Sequence, residues 1–376
     1  MKTLHAAAAA LALLAAVSSP AQEQKKPAPA PTRGAGIKVQ AGPDAPKGGQ
    51  PVEPLDIRVL ARGSEDPFEL ERLGVGAAQA NELGRARNFF ELAWKAGQLP
   101  TAAFNLACVD AREKKVDAAW AWLDRAITAG FDDDVPLEKD PDLAPLRGQA
   151  RFRTVVEGAK RNRAAGDAAV VKEGIFLAPQ GKPGAILVLL HDAASAPMTV
   201  SAPFVAEAGR RGLYLAVPRG PGKSATKRFG WGSAERAAAA VDAAIAEARK
   251  RAGSPSLPVL LAGAGRGGTE AFTVAARKDP REIAGVASLG GPFDAGAART
   301  AKGPAPGLRG ARLFLGISRD SDPVRMASFT RGAEELRKMG FAPVVADWPG
   351  AGDPFPKDLP RAVAETLDGL GVPPAR

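Results

Sequence analysis

The sequence predicts an α/β protein: a mostly parallel sheet with helices on both faces, preceded by a small all-α domain. Three observations carry this. From about residue 170, short apolar runs alternate with helical patterns, as strands buried on both faces of a parallel sheet do. From about 66 to 165 the apolar residues recur at helical spacing instead. The stretch 260–272, LLAGAGRGGTEAF, runs from an apolar segment through clustered glycines into a helical pattern, which reads as a strand, a tight turn and a helix.

The chain opens on MKTLHAAAAALALLAAVSSPAQ. Lys2 gives a positive end, an apolar stretch runs from Ala6 to Val17, and Ser19-Pro20-Ala21 supplies small residues for cleavage. This predicts a secretory signal over 1–21, too short for a membrane anchor, and hence an exported protein, periplasmic or secreted. No Cys lies near the cleavage site, so no lipid anchor is expected, and no other stretch is long and apolar enough to span a bilayer. Residues 22–61 are rich in Pro, Ala, Gly and Lys and bury too little to fold, so they read as a tether with an edge segment near 57–60. The net charge is +10, but Lys and Arg are scattered and form no basic block interleaved with aromatics, so no nucleic-acid partner is expected.

The helical domain is expected over 62–166. GRARNFFELAWKAG (84–97) and VDAAWAWLDRAITAG (116–130) align, Ala93 with Ala126 and Gly97 with Gly130, an offset of 33 residues. TAAFNLACVDAREKK (101–115) lies between them, with Pro100 ahead of it and Thr101 as its cap. Paired helices at this period resemble tetratricopeptide repeats, and the continuation through DPDLAPLRGQARF resembles the closing unit of such arrays. The resemblance implies a face that binds a protein or peptide. A helical spacer packed on the next domain is an equal alternative. Cys108 is the only cysteine, so no intrachain disulfide forms, and its apolar helical setting reads as a small buried hydrophobe.

The α/β domain is expected over 167–376. Strands are predicted at 185–191, 213–218, 258–263, 283–290, 311–317 and 341–348, with an antiparallel leading strand within 170–179. Helices are predicted at 199–211, 233–252, 267–278, 324–339 and 357–370.

The glycine junction has two readings. Gly263, Gly265 and Gly268 satisfy the dinucleotide pattern G-x-G-x-x-G. That fingerprint opens its domain on the first strand and needs an acidic residue at the end of the next strand. Here two parallel strands precede it, and the next strand ends in Leu289-Gly290-Gly291. In VPRGPGKSATK (217–227), Val217 stands where a phosphate loop needs its first glycine, and Pro218 and Pro221 remove two backbone donors. No nucleotide or other cofactor is expected.

The other reading rests on five landmarks in order: ILVLLHDAA, YLAVPRGPG, LLAGAGRGG, LFLGISRDSDPV and DWPGAGDPFP. Together they resemble the α/β-hydrolase family, in particular its phospholipase/carboxylesterase-like and dienelactone-hydrolase-like members. The resemblance implies an oxyanion-hole loop after the first landmark, a nucleophile elbow at the third, the acid at the fourth and the catalytic His at the fifth. A Ser hydroxyl needs an imidazole to take its proton, a carboxylate to orient that imidazole, and backbone N–H groups for the oxyanion. In this chain the nucleophile position is Gly265 and the His position is Asp353. The acid position survives as Asp322 or Asp320. Beyond His5 of the signal, His191 is the only histidine, and it belongs to the oxyanion-loop landmark. Thr269 and Ser288 lie off the elbow tip and have no base.

A catalytically inactive hydrolase homologue that binds through its helices and a residual pocket is therefore expected. The alternative is a serine-independent esterase or acyl hydrolase in which Asp353 activates water. Candidate pocket residues are His191, Asp192, Trp231, Arg266, Phe293, Asp322 and Asp353. The elbow N–H groups at a helix N-terminus, with Arg266, favour a small anionic ligand. The competing expectation is that Arg266 pairs with a neighbouring Asp and the pocket is vestigial, and that Trp231 packs at the rim. Asp192, Asp322 (or Asp320) and Asp353 read as solvated carboxylates rather than as a metal site.

Overall fold

The computed structural model describes residues 66–290, 295–300, 303–321, 323–350 and 358–374. The expected signal, the tether and its edge segment lie outside them, as do Phe293, Asp322 and Asp353.

The chain enters through helical hairpins. Helix α1 (Pro67–Gln79) pairs with α2 (Leu83–Gly97), and α3 (Pro100–Arg112) pairs with α4 (Val116–Ala129). Asp66 caps α1 by accepting from the Phe68 N–H, and a left-handed Gly130 ends α4. Thr101 is the second residue of α3, whose cap position is Leu99. Ala86, Ala93, Ala102, Ala103, Ala107, Ala119 and Ala126 are buried, so the helices approach closely and Phe90, Phe104, Trp120 and Leu123 fill the space between. Two short helices, α5 (Asp134–Lys139) and α6 (Ala144–Arg147), lead into the 23-residue α7 (Ala150–Lys172). Cys108 is buried in this core, and burial pushes its thiol well above the usual range.

The sheet follows. Its strands are β1 (Ile175–Leu177), β2 (Ala185–Leu190), β3 (Leu213–Val217), β4 (Val259–Ala264), β5 (Ile283–Leu289), β6 (Arg312–Ser318) and β7 (Val344–Trp348). They lie in the order β1-β3-β2-β4-β5-β6-β7. Strand β1 is antiparallel to β3, and the other pairs are parallel. The predicted leading strand is thus present, but shorter, because 170–172 finish helix α7. The predicted helix at 199–211 divides into α8 (Pro197–Ser201) and α9 (Val205–Arg210). Helices α10 (Ala234–Ala252), α11 (Arg266–Arg277), α12 (Pro323–Lys338) and α13 (Leu359–Gly369) complete the layers.

Strand periodicity sorts the core into two faces. Ile186, Val188 and Leu190 of β2 face one cluster with Val241 and Ile245 of α10 and Phe272 of α11. Leu187 and Leu189 face the other, with Phe204 before α9 and Val363 and Leu367 of α13. Each sheet face is covered, which makes the α/β assignment of the sequence correct. No helix among the described residues is long and apolar enough to cross a membrane.

The expected domain boundary at 166/167 falls inside α7, which serves both halves. Gly166 sits against the Pro221 carbonyl so tightly that a Cβ there would be closer than 3.0 Å to it. Asp132 and Asp167 both hold Arg236, at the start of α10, at 2.9 and 2.8 Å. Arg219, buried over the ring of Phe229, reaches Glu173 at 3.0 Å and the Gly166 carbonyl at 3.2 Å. The helical half is therefore clamped to the loop and hairpin that follow β3.

Candidate functional site

The chain runs from β2 to β3 on one side and then returns to place β4 on the other side of β2. The carboxyl ends of β2 and β4 thus border the point where strand order reverses, and open α/β sheets keep their ligand crevice there. His191 and Asp192 follow β2, and Gly265 and Arg266 follow β4.

Gly265 carries the sharp turn, with φ 52° and ψ −123°, a conformation that L-residues adopt only under strain. The surrounding glycines answer to close approach. A Cβ at Gly263 would strike the Gly267 backbone, one at Gly267 would strike the Leu190 and His191 carbonyls, and one at Gly268 would strike Ser288. Helix α11 consequently lies directly on β2, β4 and β5. These contacts explain the glycines without any bound dinucleotide.

The turn is therefore a strained elbow between a strand and a helix, at the reversal point of a mostly parallel sheet. The fold is of the α/β-hydrolase type.

No family model matches the chain, and no curated protein matches it in sequence. Among solved structures, the chain is similar to an uncharacterized protein from Bacillus cereus at 12% identity. That match covers 81% of this chain and 98% of the other, with a TM-score of 0.43. It is similar to a dienelactone hydrolase from Anabaena variabilis at 21% identity, covering 55% and 96%, with a TM-score of 0.43. A carboxyl esterase from Bacillus coagulans matches at 13% identity over 52% and 93%, with a TM-score of 0.42. Identity this low carries no residue across, so each side chain's role follows from its own surroundings.

Asp192 has the most informative surroundings. A Cβ built on Gly265 would stand closer than 3.0 Å to the carboxyl carbon and both carboxylate oxygens of Asp192. The carboxylate thus occupies the space into which a side chain at the elbow would project. Its Oδ1 accepts hydrogen bonds from the Arg266 N–H at 2.6 Å and from the Ala193 N–H at 2.7 Å. One donor opens helix α11 and the other belongs to the loop after β2. Two convergent backbone donors of this kind stabilise an oxyanion where a carbonyl is attacked. Here they hold a resident carboxylate, helped by the positive end of the α11 dipole.

His191 is fully buried, so it lines no open pocket. Its Nδ1–H donates to the Asp192 carbonyl at 2.8 Å, and its Nε2 accepts from the Gly220 N–H at 2.8 Å. Both nitrogens are committed to backbone, which fixes the neutral Nδ1–H tautomer. Burial lowers its pKa from 6.5 to about 4, and the nearby Arg219 acts in the same direction against the hydrogen bond to Asp192. Trp231 is buried, lies tilted against the His191 ring with centroids 4.7 Å apart and donates its indole N–H to the His191 carbonyl at 2.9 Å. It packs beneath the loop rather than at an open rim. Ser195 pairs with Phe229 of the hairpin formed by Gly222–Ala225 and Arg228–Gly230, which pins the far end of the loop.

The exposed Arg266 side chain is held by buried Glu270, Nε to Oε1 at 2.7 Å. Its partner is thus a Glu one turn along the same helix, not a neighbouring Asp, and the i, i+4 spacing was legible. Ser288 is buried under the first turn of α11, away from the elbow tip. Of the residues singled out from the sequence, the structure brings together Gly265, Asp192, Arg266 and, one layer below, His191 and Trp231. Asp320 lies in the turn after β6, and no described contact ties it to this group. Among the described residues no three His, Cys, Asp or Glu side chains gather as metal ligands do. Sequence reasoning missed Gly220, Arg219 and Arg236. Arg219 stands in YLAVPRGPG, a segment read as a landmark loop and as a poor phosphate loop, with no role given to the Arg itself.

Proposed function

We propose that the protein is an exported, catalytically inactive member of the α/β-hydrolase fold that works by binding, through tetratricopeptide-like helical hairpins. One observation carries the inactive part of this reading. The elbow residue is Gly265, and the Asp192 carboxylate fills the nucleophile's place while occupying both converging N–H donors. The state of His191 supports it, since a buried imidazole with both nitrogens bonded to backbone takes no proton from a substrate.

The binding part rests on the helical half. A concavity of about 240 Å³ opens between the hairpins, lined by Val75, Phe90, Val109, Asn105 and Arg112. Apolar side chains alternate here with Gln79, Asn105, Arg112, Asp140 and Asp142, a mixed wall that suits a peptide segment with both apolar and charged side chains. Asp192 already occupies the elbow, so the expected ligand engages the helices.

Hydrolysis of short-chain activated esters by the mature protein, beside its Asp353→Ala variant, tests the reading. Both are expected to match the buffer blank. Turnover by the wild type that is lost in the variant would replace it with a serine-independent hydrolase in which Asp353 activates water.

A further inference from the structure

We propose that Asp192 is an intramolecular anion plug: its carboxylate occupies the elbow as an external oxyanion would, and closes that site to carboxylates and phosphates in the intact protein. The inference concerns the elbow alone and does not depend on what the helical hairpins bind.

Three features of geometry converge on it. The first is space, since the carboxylate lies where an elbow side chain would stand, and Gly265 is the residue that leaves room for it. The second is donor satisfaction. The Arg266 and Ala193 N–H groups come from different elements and meet on one oxygen, Oδ1. An external anion would have to displace a charge that is already covalently tethered beside them, and tethering gives a high effective concentration. The third is that the plug is anchored from behind. The Asp192 carbonyl accepts from His191, whose other nitrogen is held by Gly220, and the His191 carbonyl accepts from Trp231. The backbone that presents the carboxylate is thus fixed by buried groups on both sides of it.

The plug is specific in chemistry. The two donors suit any small oxyanion, so removing the Asp192 carboxylate should expose a cradle for acetate or inorganic phosphate. Asn at this position keeps the shape and one acceptor oxygen, so Asp192→Asn should leave the cradle filled, whereas Asp192→Ala should empty it.

The test is a titration of wild type, Asp192→Ala and Asp192→Asn with acetate and with inorganic phosphate, read as the thermal unfolding midpoint at constant ionic strength against chloride. The expected result is a saturable rise of ~1–3 °C in Asp192→Ala and no saturable rise in the other two. An equal rise in the wild type, or no saturable rise in a folded Asp192→Ala protein, overturns the proposal. A second measurement needs no variant. Amide hydrogen exchange of the wild type should find the Arg266 and Ala193 N–H groups protected at least ~100-fold over an open loop. Exchange at the open-loop rate overturns the plug. Ester turnover by the wild type would sink the inactive reading without changing this protection, so the two failures are distinguishable.

Discussion

At the scale of single residues, the site is governed by one exchange. A residue without a side chain stands at the strained elbow, and a carboxylate from the neighbouring loop occupies the volume that a side chain there would need. The sequence made half of this legible. Gly265 and the scarcity of histidine are visible in the letters, whereas Asp192 reads as one loop carboxylate among several until the loop's path is known. His191 shows a similar limit. Its place after an apolar strand was legible, but its burial depends on the hairpin and Trp231 closing over it. That burial has a pH signature. The folded pKa of about 4 lies below the unfolded value near 6.5, so below pH 6.5 the unfolded chain binds a proton that the native state refuses. Stability should therefore fall as pH drops from about 6.5 towards 4 and level off below that, by on the order of 3 kcal/mol from this group. Urea denaturation across pH 4–7 should show this component in the wild type and lose it in His191→Asn. Equal slopes in the two proteins would refute the assignment.

At the scale of elements, what the sequence conveyed was periodicity. The buried strands matched their expected positions within a few residues because near-continuous apolar runs have few other solutions in a covered parallel sheet. Ends were less legible. The predicted helix at 199–211 breaks in two, and the edge strand β7 starts at Val344 rather than at 341, with Val344 and Val345 exposed. The glycines of the elbow segment were legible as a turn but ambiguous between two families of chemistry. Their neighbours give the packing reason for one of them, because the carbonyls of Leu190 and His191 stand where the side chain of any other residue at 267 would go.

At the scale of the whole molecule, the two halves are joined by charge pairs between distant segments, which no local pattern announces. Arg236 is held by Asp132 and Asp167, and Arg219 by Glu173. Burial raises the pKa of Asp132, and the Arg236 guanidinium opposes that rise. Removing the guanidinium strands a mostly buried carboxylate, which is strongly unfavourable. Arg236→Met is expected to cost about 2–3 kcal/mol by urea denaturation. A cost within 0.5 kcal/mol of zero, on the order of an ordinary surface change, would mean that the clamp contributes little.

Asp192 fills the space that a side chain at position 265 would need, and a double-mutant cycle between these positions tests that most directly. Gly265→Ala alone should cost about 3 kcal/mol or more, from backbone strain plus collision with the carboxylate. In an Asp192→Gly background the collision is gone, and the cost should fall to about 1–2 kcal/mol. A coupling of roughly 1 kcal/mol or more is the predicted result, and additivity within about 0.3 kcal/mol would contradict it.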